Sequence, residues 1–128
     1  MMRRIPAMLV GAALATLLAG CGEQVGRSEA AAETGGGDAQ RGAALIQQYG
    51  CGGCHVVPGI AGAQGLVGPP LTTMARRVYI AGVLRNTPDN MVRWLRDPQR
   101  VVPGNAMPDM GIDQSDAENI AAYLYTLR

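Results

Sequence analysis

The 128-residue chain contains no lysine and no phenylalanine, and it has only one histidine, one tryptophan and three cysteines. Its 11 basic residues are all arginines and are nearly balanced by 10 acidic residues, so it lacks the concentrated basic surface that nucleic acid requires. One histidine and three cysteines also do not supply four grouped ligands for a structural zinc site. Because aromatic residues make up only 4% of the chain, a folded domain has little large apolar material for its core.

The segment Cys51–His55 reads C-x-x-C-H, which is the attachment signature of a c-type haem. Two thiols three positions apart can form thioether bonds to one haem, and the histidine that follows is placed to ligate its iron. Gly52 and Gly53 present no side chains to clash with the porphyrin. The alternative, a redox dithiol, would require an α/β context that the rest of the sequence does not offer. We therefore predict one covalent haem c held through Cys51 and Cys54, whose bulk supplies the missing apolar mass.

Residues 1–20 have the pattern of a secretory signal peptide. Arg3 and Arg4 precede an apolar run over residues 8–18, which is too short for a membrane span and is followed by small residues. The tetrapeptide that ends at Cys21 resembles the lipobox of bacterial lipoproteins, in which the cysteine is lipidated. The alternative is an ordinary cleaved signal peptide with a chance cysteine. We expect a lipid anchor at Cys21 that holds the protein on the periplasmic side of a bacterial cell-envelope membrane.

Residues 21–37 are predicted to be a flexible linker, because they are rich in glycine, alanine and glutamate and have no apolar periodicity. The rest of the chain, residues 38–128, is predicted to be one folded domain. Its wealth of glycine and proline indicates long loops.

Three segments of the domain have helical patterns. The first is capped by Asp38. The second has a proline, Pro88, at its first helical position and stops before Pro98. The third is capped by Asp113 and carries one apolar stripe to the end of the chain. Since no alternating strand pattern is visible, we predict an all-α fold of three to five helices.

The second axial ligand of the iron is predicted to be a methionine, because the chain has no second histidine. Met107 is our choice and Met110 is the alternative, since prolines fix the backbone of their loop and Gly104 allows a tight turn. Met74 and Met91 fall on patterns that core packing explains.

Several side chains outside the motif are expected to contact the haem. Trp94 and Leu95 are expected to pack near it, and Asn105 and the Trp94 indole N–H are candidates to meet its propionates. An arginine is expected to join them, and the candidates are Arg76, Arg77 and Arg85.

Residues 38–128 resemble a class I cytochrome c over the whole predicted domain. The positions that carry the resemblance are Gly42, Ile46, the C-x-x-C-H motif, Gly68-Pro69, the run from Pro98 to Met107, Ile120 and Tyr123. The resemblance implies the cytochrome c fold, wrapped around its haem, in which the first and last helices cross in contact at Gly42, Ile46, Ile120 and Tyr123. It also implies that the Pro69 carbonyl accepts a hydrogen bond from His55 and that Met107 is the distal ligand.

The stretch from Asn86 to Pro108 is most similar to the cytochrome c domain fused to subunit II of some haem–copper oxidases. This sequence departs from that arrangement, since we expect a lipid anchor in place of a copper-binding domain and a transmembrane hairpin.

The resemblance implies an electron-transfer protein and not an enzyme. We expect a membrane-tethered one-electron carrier that docks at its haem edge with respiratory partners, such as a dehydrogenase, a cytochrome complex or a terminal oxidase. One alternative is a fixed electron-entry subunit of an oxidase or dehydrogenase complex. Another is a haem enzyme or gas sensor with an open iron site.

Overall fold

The computed structural model describes residues 34–128, and over that range it contains four α-helices and one short β-hairpin. The elements in chain order are helix α1 (Ala39–Gln48), two 3-10 turns (Cys51–Gly53 and Met74–Arg76), strands β1 (Tyr79–Ile80) and β2 (Leu84–Arg85), and helices α2 (Pro88–Arg96), α3 (Pro98–Val101) and α4 (Gln114–Thr126). No helix within the described range combines the length and the apolar content needed to cross a membrane. The predicted signal peptide and Cys21 lie outside the described residues.

The three longer helices begin at side chains that satisfy the free N–H groups of their first turns. The Asp38 carboxylate accepts hydrogen bonds from the first turn of α1 at 2.8 and 3.2 Å. Thr87 does the same for α2 at 3.3 Å, and Asp113 for α4 at 2.8 Å. The predicted helices and their starts are therefore confirmed.

Helices α1 and α4 cross in contact, and a glycine makes this close approach possible. A Cβ atom at Gly42 would overlap the Asn119 carbonyl oxygen and would lie 3.0 Å from the Cβ atom of Tyr123. Ile46 and Ile120 are each only 1% exposed and belong to the same core cluster. The crossing implied by the family resemblance is confirmed.

Polar contacts at the ends of the crossing fix its register. The Asp38 backbone N–H donates to the Asn119 side-chain oxygen at 2.8 Å, and the Tyr49 hydroxyl donates to the Asp116 carboxylate at 2.8 Å. The second bond raises the pKa of the Tyr49 phenol, so the phenol keeps its proton and remains a donor. Both ends of α1 are thereby attached to α4.

The packed structure begins upstream of α1. Thr34 is only 3% exposed, and a Cβ atom at Gly37 would overlap the Glu118 carbonyl oxygen. Two residues of the predicted linker, Thr34 and Gly37, are therefore buried, while Gly35 and Gly36 between them are exposed.

The β-hairpin was not expected from the sequence. Strands β1 and β2 pair in antiparallel fashion with Ile80 opposite Leu84, and each strand has only two residues. Three residues, 81–83, join the strands, and the Val83 N–H donates to the Ile80 carbonyl at 3.1 Å. Ala81 and Gly82 have φ values of +50° and +75°, and a type I′ turn requires positive φ at both central residues. Two-residue strands are too short to leave an alternating pattern in the sequence.

A polar side chain fastens the hairpin region to α4. Asn86 donates from its amide nitrogen to the carbonyl oxygens of Met74 and Arg77 at 2.8 and 2.9 Å. Its amide oxygen accepts a hydrogen bond from the Tyr125 hydroxyl at 2.9 Å. Asn86 thus links the middle of the chain to the last helix.

Gly42→Ala should destabilise the protein, because the added methyl would meet the backbone of α4 and not a flexible side chain. We expect a loss of about 1–3 kcal/mol in the free energy of unfolding, measured by chemical denaturation. Ala44 is exposed on the same helix and gives the matched control, since Ala44→Gly should cost about 1 kcal/mol from helix propensity alone. A Gly42→Ala protein as stable as the wild type would contradict the crossing contact.

Candidate functional site

The C-x-x-C-H motif follows α1 through Gly50, which has a left-handed φ of +71°. In the 3-10 turn that follows, the backbone N–H groups of Cys54 and His55 both donate to the Cys51 carbonyl, at 3.2 and 3.0 Å. Cys51 and Cys54 are free, partly buried thiols, and burial raises the pKa of the Cys51 thiol. The turn therefore holds two neighbouring thiols, as the predicted attachment site requires.

The imidazole of His55 is oriented by a backbone carbonyl. Its Nδ1 atom lies 2.8 Å from the Pro69 oxygen, which can only accept a hydrogen bond. Nδ1 therefore carries the proton, and Nε2 is left as the atom that can ligate a metal. The structure contains the His55–Pro69 contact that the family resemblance implies.

Gly68 lets the loop that carries Pro69 approach the histidine ring. A Cβ atom at Gly68 would overlap the imidazole of His55 and would lie 2.6 Å from its Nδ1 atom. The Gly68 backbone N–H also donates to the Cys54 carbonyl at 2.8 Å. The ring is thus confined on one side by backbone alone.

The loop after the motif is held by α4. The Tyr123 hydroxyl donates to the Pro58 carbonyl at 2.6 Å, and burial raises the pKa of the Tyr123 phenol. The Val57 N–H donates to the Ala63 carbonyl at 3.1 Å and closes the loop on itself. From the sequence, Tyr123 was expected only at the helix crossing, and its second contact joins that crossing to the site.

The loop that carries Met107 is braced by two side chains. The Met107 N–H donates to the side-chain oxygen of Asn105 at 2.7 Å, and the Met107 carbonyl accepts from the Gln99 amide nitrogen at 2.7 Å. The Gln99 side-chain oxygen also accepts from the Gly104 N–H at 3.1 Å. Both backbone polar groups of Met107 are therefore fixed by side chains.

Gln99 is a site residue that the sequence reasoning missed. It follows Pro98 in α3, a one-turn helix that was not predicted, so no periodicity or motif marked its role. Asn105 was predicted as a haem contact. Its amide nitrogen donates to the carbonyls of Pro98 and Val102 at 3.0 and 2.7 Å, so the structure makes it a brace of the loop. Its contact with the haem stays a prediction.

The methionines fall into two groups. Met74 and Met91 are buried in the core, as predicted. Met107 and Met110 are only partly buried beside it, which leaves both available as ligands. Burial alone therefore does not decide which of the two is the better ligand candidate. The hydrogen bonds from Asn105 and Gln99 favour Met107, because they fix its backbone.

The remaining predicted haem contacts lie beside the core. Leu95 is buried, and Trp94 is partly buried against the same cluster. Arg77 donates to the Pro70 carbonyl, and the Arg85 guanidinium lies 5.7 Å from the centroid of the Tyr79 ring. Contacts of these side chains with a haem stay predictions.

The donor set fits a covalently attached haem. Two free thiols flank a short backbone turn, and the adjacent imidazole presents Nε2 because Nδ1 is engaged. Gly68 leaves space beside that ring, and a side chain at this position would fill that space. Soft thioether sulfurs are also present on a separate, rigid loop.

The family model for cytochrome c matches residues 39–128. Three curated relatives are cytochrome c oxidase subunit 2 proteins. That of Alkalihalophilus pseudofirmus is 37% identical over 91 residues, a match that covers 70% of this chain and 26% of the relative. That of Bacillus subtilis is 35% identical over 89 residues, with 68% and 25% covered, and that of Bacillus sp. strain PS3 is 33% identical over 94 residues, with 70% and 26% covered. The match spans about a quarter of the length of these relatives.

Gly68→Ala should impair covalent haem incorporation, because the methyl would displace the His55 ring from its position against Pro69. We expect a several-fold lower ratio of haem absorbance to protein absorbance in the purified variant. Ala61→Ser is the control, since Ala61 is exposed in the loop after the motif and its replacement by another small residue should leave the ratio unchanged. Equal haem content in the two variants would show that the ring can move without consequence.

Proposed function

The chain belongs to the cytochrome c family, and on that basis we propose that it is a membrane-tethered one-electron carrier whose iron is ligated by His55 and Met107. Family membership establishes a covalently bound c-type haem and an electron-transfer role. The axial ligands, the tether and the partners are the proposed part. One observation favours a carrier whose iron has a protein ligand on both sides: side chains hold Met107 at both its N–H and its carbonyl.

The haem supplies one-electron exchange at its iron, and a thioether ligand together with burial favours the reduced form. His55 keeps one orientation because its Nδ1 proton is donated to Pro69. A weak thioether ligand stays bound only if its loop is rigid, and Gln99 and Asn105 provide that rigidity for Met107. If His55 and Met107 both held the iron, they would leave no room for small exogenous ligands, and the haem would supply electron transfer without activating oxygen.

The relatives support a second candidate within the same chemistry. Their name, cytochrome c oxidase subunit 2, describes a component of an oxidase, and this chain matches about a quarter of each. A fixed electron-entry subunit of such a complex would co-purify with it in stoichiometric amounts. A mobile carrier would separate from membrane complexes under mild detergent and would still exchange electrons with them.

The proposed tether is the lipidated Cys21, left after removal of residues 1–20. The predicted linker runs to residue 37, where Gly37 lies against the Glu118 backbone of α4. In this proposal the tether holds the domain on the periplasmic side of a bacterial membrane, close to respiratory partners.

Met107→Ala should abolish the weak near-infrared iron–sulfur absorption of the oxidised protein and lower its reduction potential, because the thioether ligand is lost. Met110→Leu is the matched control on the same loop and should retain both properties. The reverse pattern would assign the ligand to Met110. If the wild type itself lacks the band, is high-spin and binds CO rapidly when reduced, the iron site is open and a haem enzyme or sensor is the correct class.

Cys21→Ser should release the protein from membranes, because a serine cannot receive the thioether-linked lipid. Cell fractionation followed by haem staining should move most of the protein from the membrane pellet to the soluble fraction. Cys51 and Cys54 are unchanged in this variant, so its haem content should equal that of the wild type. A variant that remains membrane-bound at the wild-type level would rule out the lipid anchor.

A further inference from the structure

The haem attachment region carries no charged side chain. The 34 residues from 42 to 75 include no aspartate, glutamate, lysine or arginine. At the overall charged content of 16%, a stretch of this length would hold about five such residues. Every charged residue of the domain lies before Gly42 or after Ala75.

Burial does not explain this absence. Twelve of the residues from 51 to 75 are exposed, and exposed positions are where charged residues normally occur. Leu66 is 86% exposed and Val67 is 69% exposed, which makes them the two most exposed large hydrophobic residues described. The region is therefore a surface without charge and not an interior segment.

The apolar pair lies directly beside the haem attachment motif. The Gly65 N–H donates to the Gly52 carbonyl at 3.0 Å, and the Gly68 N–H donates to the Cys54 carbonyl at 2.8 Å. Leu66 and Val67 lie between these two contacts. A protein that covers them comes next to the two cysteines that would hold the haem.

We infer that Leu66 and Val67 form the centre of an uncharged docking surface for a redox protein whose own contact patch is apolar and uncharged. This inference rests on the proposed electron-carrier function. A charged patch on the partner would lose its hydration against this surface without gaining a counter-charge, which is unfavourable. Two large side chains among small residues also form too small a patch for a stable dimer, since stable interfaces typically bury about 1,200–2,000 Å². Brief encounters between redox proteins bury less surface than this.

The rate of electron transfer between the full-length haem-loaded protein and native membranes from a strain lacking its gene provides the test. We expect this rate to change less than about two-fold between 0.01 and 1 M ionic strength, a range over which the Debye length falls from about 30 to about 3 Å. Leu66→Glu and Leu66→Arg should each slow it about ten-fold, although they add opposite charges. Val67→Thr should slow it several-fold without adding a charge.

Val83 gives the matched control, because it is also an exposed valine but lies on the hairpin. It is two residues before Arg85, outside the uncharged stretch. Val83→Glu and Val83→Arg should leave the rate within about two-fold of the wild type. The visible spectrum and the reduction potential of all variants should match the wild type, which shows that the site is intact.

Three results would overturn the inference. A wild-type rate that depends steeply on salt, or a charge at position 66 that accelerates transfer, would show that the partner patch is charged. Rates unaffected by the Leu66 variants would place docking elsewhere. If these variants then sedimented differently from the wild type, the surface would bind a second copy of the chain. If they instead bound phosphatidylcholine vesicles differently, the surface would bind the bilayer. Membranes that neither reduce nor oxidise the wild-type haem would instead refute the proposed function itself.

Discussion

The close approach of α1 and α4 is the constraint on which the rest of the domain depends. Gly42 brings the α1 backbone against the Asn119 carbonyl, and no side chain lies between the two. Because the C-x-x-C-H motif begins three residues after the end of α1, this contact sets where the thiols lie. The Tyr123 hydroxyl then extends the same interface to the Pro58 carbonyl, so the last helix positions both the start and the continuation of the haem-binding segment.

The two sides of the site are made rigid by different means. On the histidine side, backbone groups hold the ligand in place, since the Pro69 carbonyl orients His55 and the Gly68 backbone confines its ring. On the methionine side, the side chains of Gln99 and Asn105 hold the backbone of Met107. A strong imidazole ligand needs only orientation, whereas a weak thioether needs its whole loop held in place.

The features that could be predicted from the sequence are those whose cause is local or strongly patterned. The cap at Asp38, the proline start of α2 and the C-x-x-C-H motif each show their function within a few residues. The helix crossing was expected from the family resemblance, and it explains a glycine that is otherwise unfavourable inside a helix. The match to cytochrome c over residues 39–128 agrees with the predicted fold class.

The features that were missed depend on partners far away or on very short elements. The hairpin has two residues in each strand, and α3 has a single turn, so neither has a period that a sequence can display. The bracing by Gln99 and the hydroxyl contact of Tyr123 each join a polar side chain to a backbone carbonyl. Such a bond leaves no trace in the identity of the accepting residue, because every residue has a carbonyl.

The sequence separation of the closing contact has a consequence for how the protein is made. The hydrogen bond between Asp38 and Asn119 spans 81 residues, so the contact between the first and last helices can form only after nearly the whole chain has been synthesised. Contacts between residues so far apart in the sequence form slowly, because a long loop must be closed first. A chain without its last helix would lack the contact that positions its two thiols.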